Sequence, residues 1–97
     1  MTNESNWRFP DDPHSTAYLS QKVHDGVEPV VYVSHDADDG AWQFLGDSMS
    51  KGGGPVISCL HHPIDSDPSL HELYDLPLGW VAERDKPGHP WKRYEHD

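Results

Sequence analysis

The sequence predicts an α+β domain: a small, mainly antiparallel sheet of four to five strands with one short helix on one face. The chain has 97 residues, which is the size of one domain. Short segments rich in β-branched and aromatic residues alternate with turns, consistent with Gly 8 and Pro 9. Only one segment combines helix-capping residues with helical spacing of apolar residues. A barrel-like closure of the sheet is the alternative architecture.

The chain divides into a lead-in and one domain. Residues 1–15 are polar and contain prolines, so we expect an extended lead-in with Trp7 and Phe9 as possible anchors. Residues 16–94 form the predicted α+β domain, and the end of the chain from Tyr94 to Asp97 is expected to fray.

Five segments have strand character, namely residues 16–23, 29–34, 41–45, 55–60 and 79–83. The second and third are joined by Asp36-Ala-Asp-Asp-Gly40, which predicts a hairpin because Gly40 tolerates a positive φ. Residues 46–54 contain three consecutive glycines and read as a flexible loop. We expect the core to be built from aromatic residues of these strands: Tyr32, Trp42 or Phe44, and Trp80.

The predicted helix begins near Asp67. Asp67 can cap it, and Pro68 suits the first helical position. Leu70, Leu73 and Tyr74 then follow at helical spacing and form a narrow apolar stripe.

Charge is the strongest compositional signal. Lys+Arg 7 against Asp+Glu 17 gives a formal net charge of -10. Acids and bases balance in residues 83–97, so the excess lies in residues 1–82. Such a field disfavours nucleic acid and anionic membranes, because both bind Lys and Arg, and it favours a basic protein partner. The plainer interpretation is that acidity keeps a small protein soluble.

Membrane and secretion signals are not expected. The longest apolar runs are too short for a transmembrane span, and the first residues lack the apolar core and basic flank of a secretory signal. We therefore expect a cytoplasmic protein.

The acidic hairpin is the predicted partner-binding site, with Asp36, Asp38, Asp39 and also Asp47 as contact residues. A calcium site is disfavoured because Gly40 comes one place early for a calcium-binding EF-hand loop. A solvated turn is the plainer interpretation of the hairpin.

Two further groups of residues could carry chemistry. One is a polar cluster that could bind zinc or nickel: His61, His62, Asp65, Asp67 and His71. Because neighbouring side chains of a strand alternate and the H-E-x-x-H pattern is broken at Asp75, we interpret it as a polar loop and helix cap. The other is Cys59, the single cysteine, which reads as a small apolar residue. We expect no catalytic residue, no metal and no cofactor.

A combination of short motifs resembles a known bacterial family. The motifs are Gly40-Ala-Trp-Gln-Phe-Leu-Gly-Asp47, Asp67-Pro-Ser-Leu70, Leu76-Pro-Leu-Gly-Trp80 and Ala82-Glu-Arg-Asp85. Together they are similar to small domains of unknown function proposed as immunity proteins of polymorphic toxin systems, over roughly residues 29–92. The Lys51 to Gly54 loop and the His61-His62 pair depart from that pattern.

The resemblance implies a non-catalytic α+β domain that binds a bacterial toxin and blocks its active site or substrate groove. A basic toxin would agree with the acidic charge of this chain. Two alternatives remain: a housekeeping binding module of unknown ligand, and a small metal-dependent protein using the region from His61 to His71.

Overall fold

A computed structural model describes residues 7–46 and 56–96 of the chain. In these residues the strands form one mixed sheet with the order β4-β1-β3-β2-β5-β6. The strands are β1 Thr16–Leu19, β2 Tyr32–His35, β3 Trp42–Leu45, β4 Val56–Cys59, β5 Trp80–Glu83 and β6 Lys92–Glu95. The helices are α1 Gln21–His24, α2 His61–Ser66 and a 3₁₀ helix over Pro68–Leu73.

The α+β class and the mainly antiparallel pairing are confirmed, but the strand count was wrong. The described sheet has six strands instead of four or five. The additional strand is β6, whose sequence Lys-Arg-Tyr-Glu has little apolar character and was expected to fray near its end. It forms because it pairs with β5, placing Tyr94 opposite Val81. The pairing of β1 with β3 is parallel, and the other pairings are antiparallel.

The helical content also differs from the prediction of a single helix. The predicted segment forms the 3₁₀ helix, and Asp67 caps it by accepting a hydrogen bond from the Ser69 N–H at 3.1 Å. The first predicted strand ends at Leu19, and α1 occupies its last predicted residues. Along the described ranges, none of the helices reaches the length and apolarity required to cross a bilayer.

The core lies on one face of the sheet. Alternation along the strands places Trp42 and Phe44 on this face, beside Ala17 and Leu19 of the parallel neighbour β1. The helices cover the same face with Val23 of α1, Ile64 of α2, and Leu70 and Leu73 of the 3₁₀ helix. These aliphatic and aromatic residues therefore form a single buried cluster between the sheet and the helices.

The part of the lead-in that the structure describes packs onto this core. Phe9 is buried and meets the Trp42 ring edge-on, with centroids 5.0 Å apart. Asp11 accepts a hydrogen bond from Trp42 Nε1 through its carboxylate at 2.8 Å and one from Trp7 Nε1 through its carbonyl at 2.9 Å. Residues 7–11 thus contribute to the fold although they precede the first strand.

The predicted acidic hairpin is confirmed. β2 and β3 pair antiparallel, and the Gly40 N–H donates to the Asp36 carbonyl at 2.9 Å. Gly40 has φ 75°, which is the left-handed conformation that glycine adopts without a Cβ penalty. Asp39 braces the turn by accepting a hydrogen bond from the Ala41 N–H at 3.0 Å.

A buried arginine connects β5 to the 3₁₀ helix. The Arg84 side chain is 1% exposed and donates to the Asp67 carboxylate at 2.9 Å. Its Nε and Nη2 atoms both donate to the Val30 carbonyl, and its guanidinium stacks on Trp91 at 4.3 Å. This network joins the end of β5, the helical segment and the approach to β2.

Candidate functional site

The face of the sheet opposite the core carries the most distinctive surface among the described residues. Strand register places Tyr18, Tyr32 and Tyr94 on this side, together with Leu45 and Ile57. We call these five residues the tyrosine face. Ile57 is 70% exposed and Tyr94 is 43% exposed. Because the helices supply their buried residues to the opposite side, this face presents its aromatic and aliphatic groups outward.

A groove of about 440 Å³ runs over the middle of the tyrosine face. Ser34 and Val81 lie opposite each other in the β2–β5 pairing, and both are buried. Val81 is nevertheless outside the main core cluster, because its side chain points to the other side of the sheet. The groove is lined by Tyr32, Ser34, His35, Asp36, Ala37, Asp38, Gln43, Leu45, Gly79, Trp80, Val81 and His96.

The charge of the groove is acidic. Asp36 and Asp38 line it, and its described lining contains neither Lys nor Arg. Asp36 is held in place because its carboxylate accepts a hydrogen bond from Gln43 Nε2 at 3.0 Å. Partial burial raises the pKa of Tyr32, and the negative charges of Glu83 and Asp36 raise it further. The Tyr32 phenol therefore stays protonated and can donate a hydrogen bond to a ligand.

Glu83 is a further acid on the tyrosine face, beside Tyr94. The Tyr94 hydroxyl donates to Glu83 Oε2, and this hydrogen bond, followed by desolvation and the Glu83 charge, raises the pKa of Tyr94 to about 12. Lys92 is the cross-strand partner of Glu83 and stands at the edge of the same face. Among the described residues, Lys92 thus places positive charge at the rim of this face, on the outermost strand.

Only some of the predicted contact residues line the groove. Asp36 and Asp38 line the groove, whereas Asp39 is exposed and uses its carboxylate to brace the turn. Asp47 lies outside the described residues, as does most of the predicted loop over residues 46–54. The hairpin therefore contributes two of its acids directly to the groove.

The predicted histidine cluster is dispersed by the fold. His62 stacks on His24 with centroids 5.2 Å apart, and His71 stacks on Phe9. The Asp67 carboxylate forms an ion pair with Arg84. Within the predicted cluster, His61 and Asp65 form a direct contact, with His61 Nδ1 and Asp65 Oδ2 at 2.9 Å. This dispersal follows from the helix that begins at His61, which the sequence did not indicate.

Tyr32 is the main residue whose role the sequence misjudged. It was expected in the core, but it lies half-buried on the tyrosine face. The segment Pro29-Val-Val-Tyr-Val-Ser34 is almost continuously apolar, so alternation could not show which side each residue would take. The cross-strand partners of Tyr32, Leu45 and Glu83, point away from the core, so the Tyr32 side chain points the same way.

Another group of potential ligands gathers where β1 and β4 meet. One ring nitrogen each of His14 and His61 and the Sγ atom of Cys59 all lie within 4.8 Å of one another. Cys59 is half-buried and has a free thiol. Imidazole nitrogen and thiolate sulfur are the ligands that zinc and copper prefer.

Comparison with known proteins identifies no relative. No family model, no curated protein and no solved structure matches the chain.

Proposed function

We propose that this protein is a non-catalytic interaction domain that binds a basic protein through the tyrosine face, as an immunity-like inhibitor of a bacterial toxin. The observation that carries the proposal is the groove with Asp36 and Asp38 in its lining, tyrosine beside them and no described Lys or Arg. A basic loop or helix of a partner is the chemistry that fits this combination.

Tyrosine and acid have complementary roles in such a surface. Tyrosine offers a large, rigid contact area with a polar end, and it is enriched among the residues that dominate binding energy. An arginine of the partner can stack on a tyrosine ring and pair with an adjacent carboxylate. The excess negative charge of the chain would speed the encounter and make it sensitive to salt.

The inhibitory role is supported by the motif resemblance. In the structure, two of the motif segments contact each other, because Asp67 of Asp-Pro-Ser pairs with Arg84 of Arg-Asp at 2.9 Å. These residues hold the fold together, while the acids of the hairpin remain at the surface. A compact scaffold that presents an acidic hairpin suits a protein that occupies the substrate groove of a basic toxin.

The test uses co-expression. The candidate partner is the product of the gene adjacent to the one encoding this chain, expressed alone and together with this protein. We expect growth arrest by the neighbouring product and its relief by this protein. The two would form a complex whose affinity falls as salt concentration rises.

Charge variants test whether the groove is the surface that binds the partner. Asp36→Asn with Asp38→Asn removes two charges while preserving side-chain shape, and we expect binding to weaken about tenfold or more. The matched control is Glu72→Gln with Asp85→Asn, which removes the same charge from exposed positions outside the groove. Equal effects of the two pairs, or a partner that binds equally well at high salt, would refute this surface.

The groove also supports the second candidate, a binding module for a small ligand, since about 440 Å³ lies within the usual range of ligand pockets. Mass spectrometry of the protein purified under native conditions discriminates the two. A stoichiometric small molecule lost on mutation of Tyr32, with no relief of growth arrest, would favour this candidate.

A further inference from the structure

We propose that His14, Cys59 and His61 form a site for a thiophilic divalent metal ion, Zn²⁺ in particular. From the sequence we expect no metal. The possible zinc or nickel ligands considered there, from His61 to His71, do not include His14 or Cys59. The fold assembles this different group at the end of the β1–β4 pairing, and it does so independently of the groove.

Strand register explains why the three side chains meet. Thr16 pairs with Cys59, and the pairing continues backward through hydrogen bonds from the Leu60 N–H to the Ser15 carbonyl at 2.8 Å and from the His61 N–H to the Pro13 carbonyl at 3.0 Å. His14 is thereby fixed beside His61, and their rings meet edge-on with centroids 5.2 Å apart. The backbone holds the ligands together before any ion arrives.

The three ligand atoms lie close enough together for small side-chain movements to bring them onto one ion. One nitrogen of each imidazole and Cys59 Sγ lie within 4.8 Å of one another. In a tetrahedral zinc site with two imidazoles and one thiolate, bond lengths of about 2.0–2.3 Å place neighbouring ligand atoms roughly 3.3–3.6 Å apart. Small rotations of exposed His14 and half-buried His61 can close this difference.

Asp65 would orient the His61 imidazole for metal binding. It lies one helical turn further along α2, and its Oδ2 is 2.9 Å from His61 Nδ1. A proton on Nδ1 donated to this carboxylate leaves the Nε2 lone pair available for a metal. Carboxylate–histidine pairs of this kind orient metal-binding imidazoles and increase their basicity.

Two histidines and one thiolate favour Zn²⁺ over magnesium or calcium, which prefer oxygen ligands. On binding, the Cys59 thiol releases its proton to solvent and the thiolate sulfur bonds to the ion. The three protein ligands leave a fourth position for water or for a donor from a partner. The ion would join the segment before β1 to strand β4 at the sheet edge.

The test titrates the full-length reduced protein with Zn²⁺ against a chromophoric chelator, and with Co²⁺ followed by absorbance. We expect one ion per chain, a thiolate-to-cobalt charge-transfer band, and a rise in the melting temperature with zinc. Cys59→Ser and His14→Asn should each weaken zinc binding about 100-fold or more, and Asp65→Asn roughly tenfold.

His62→Asn is the matched control, because His62 is adjacent to His61 in sequence but stacks on His24. It should leave the zinc affinity within about twofold. Circular dichroism without metal checks that each variant is folded. Absence of stoichiometric zinc, retention of binding in both Cys59→Ser and His14→Asn, or an equal loss in His62→Asn would overturn the proposal.

Discussion

Replacing Arg84 with Met should destabilise this protein more than any other single removal of charge from the described residues. The Arg84 side chain is 1% exposed, and it donates to the Val30 carbonyl, Ser69 Oγ and the Asp67 carboxylate. Met fills a similar volume but leaves the Val30 carbonyl without the two guanidinium donors. An unsatisfied buried carbonyl costs about 1–3 kcal/mol, and breaking a buried ion pair costs about 3–5 kcal/mol in typical cases.

The expected loss is about 3–4 kcal/mol in the free energy of unfolding, because Asp67 is 28% exposed and water can replace part of its interaction. Asp67→Asn keeps an acceptor for the Ser69 N–H and removes only the charge, so we expect a smaller loss of about 1–2 kcal/mol. The double variant should lose less than the sum of the two, with a coupling of about 1 kcal/mol or more.

Urea unfolding followed by tryptophan fluorescence and circular dichroism measures these differences. Arg93→Met is the matched control, since Arg93 pairs with Asp75 at 2.7 Å but the two side chains are 32% and 56% exposed. A surface pair of this kind contributes about 0–1 kcal/mol. If Arg84→Met cost no more than Arg93→Met, burial would not make the Arg84 contacts more stabilising than those of a surface pair.

The same pair predicts the acid dependence of stability. Burial alone would raise the pKa of Asp67, but hydrogen bonds from Ser69 and Arg84 and the Arg84 charge outweigh it and lower the pKa below 3.8. The stabilisation is thus present above pH 3.8 and is lost as the pH falls through the lower folded pKa. Asp67→Asn should flatten this part of the stability profile, and an unchanged acid profile would exclude Asp67 as its origin.

Three other predictions concern separate parts of the fold. The raised pKa of Tyr94, about 12 against 10.0 in the unfolded chain, should cost stability as the pH rises between these values, and Tyr94→Phe should remove that dependence in alkaline unfolding curves. Phe9→Ala should lower the free energy of unfolding by about 3 kcal/mol, because Phe9 is 4% exposed. A loss below about 1 kcal/mol in urea unfolding would show that the lead-in is not part of the core. Gly40→Ala should cost about 1 kcal/mol because of its φ of 75°, while Gly40→Asn should cost less, and equal stability of the three proteins would contradict the turn assignment.

The groove was only partly predictable. The sequence indicated its acidic end, because Asp36 and Asp38 sit in a turn between two clear strands. It did not indicate Tyr32 in the groove or Tyr94 elsewhere on the tyrosine face, since Tyr32 lies in a continuously apolar segment and Tyr94 in a charged segment without strand character. Their position depends on pairing with β5, which is distant in sequence from β2.

The acidic excess follows from the sequence alone, because net charge is a sum over the composition. The β2–β3 hairpin and the cap at Asp67 also follow from it, because each depends on residues close together in the chain. Tertiary structure alone decided the sixth strand, the burial of Arg84 and the meeting of His14 with Cys59 and His61. The physical reason is range: turn and cap preferences act over a few residues, whereas strand pairing and the burial of a charge depend on partners that only the folded chain brings together.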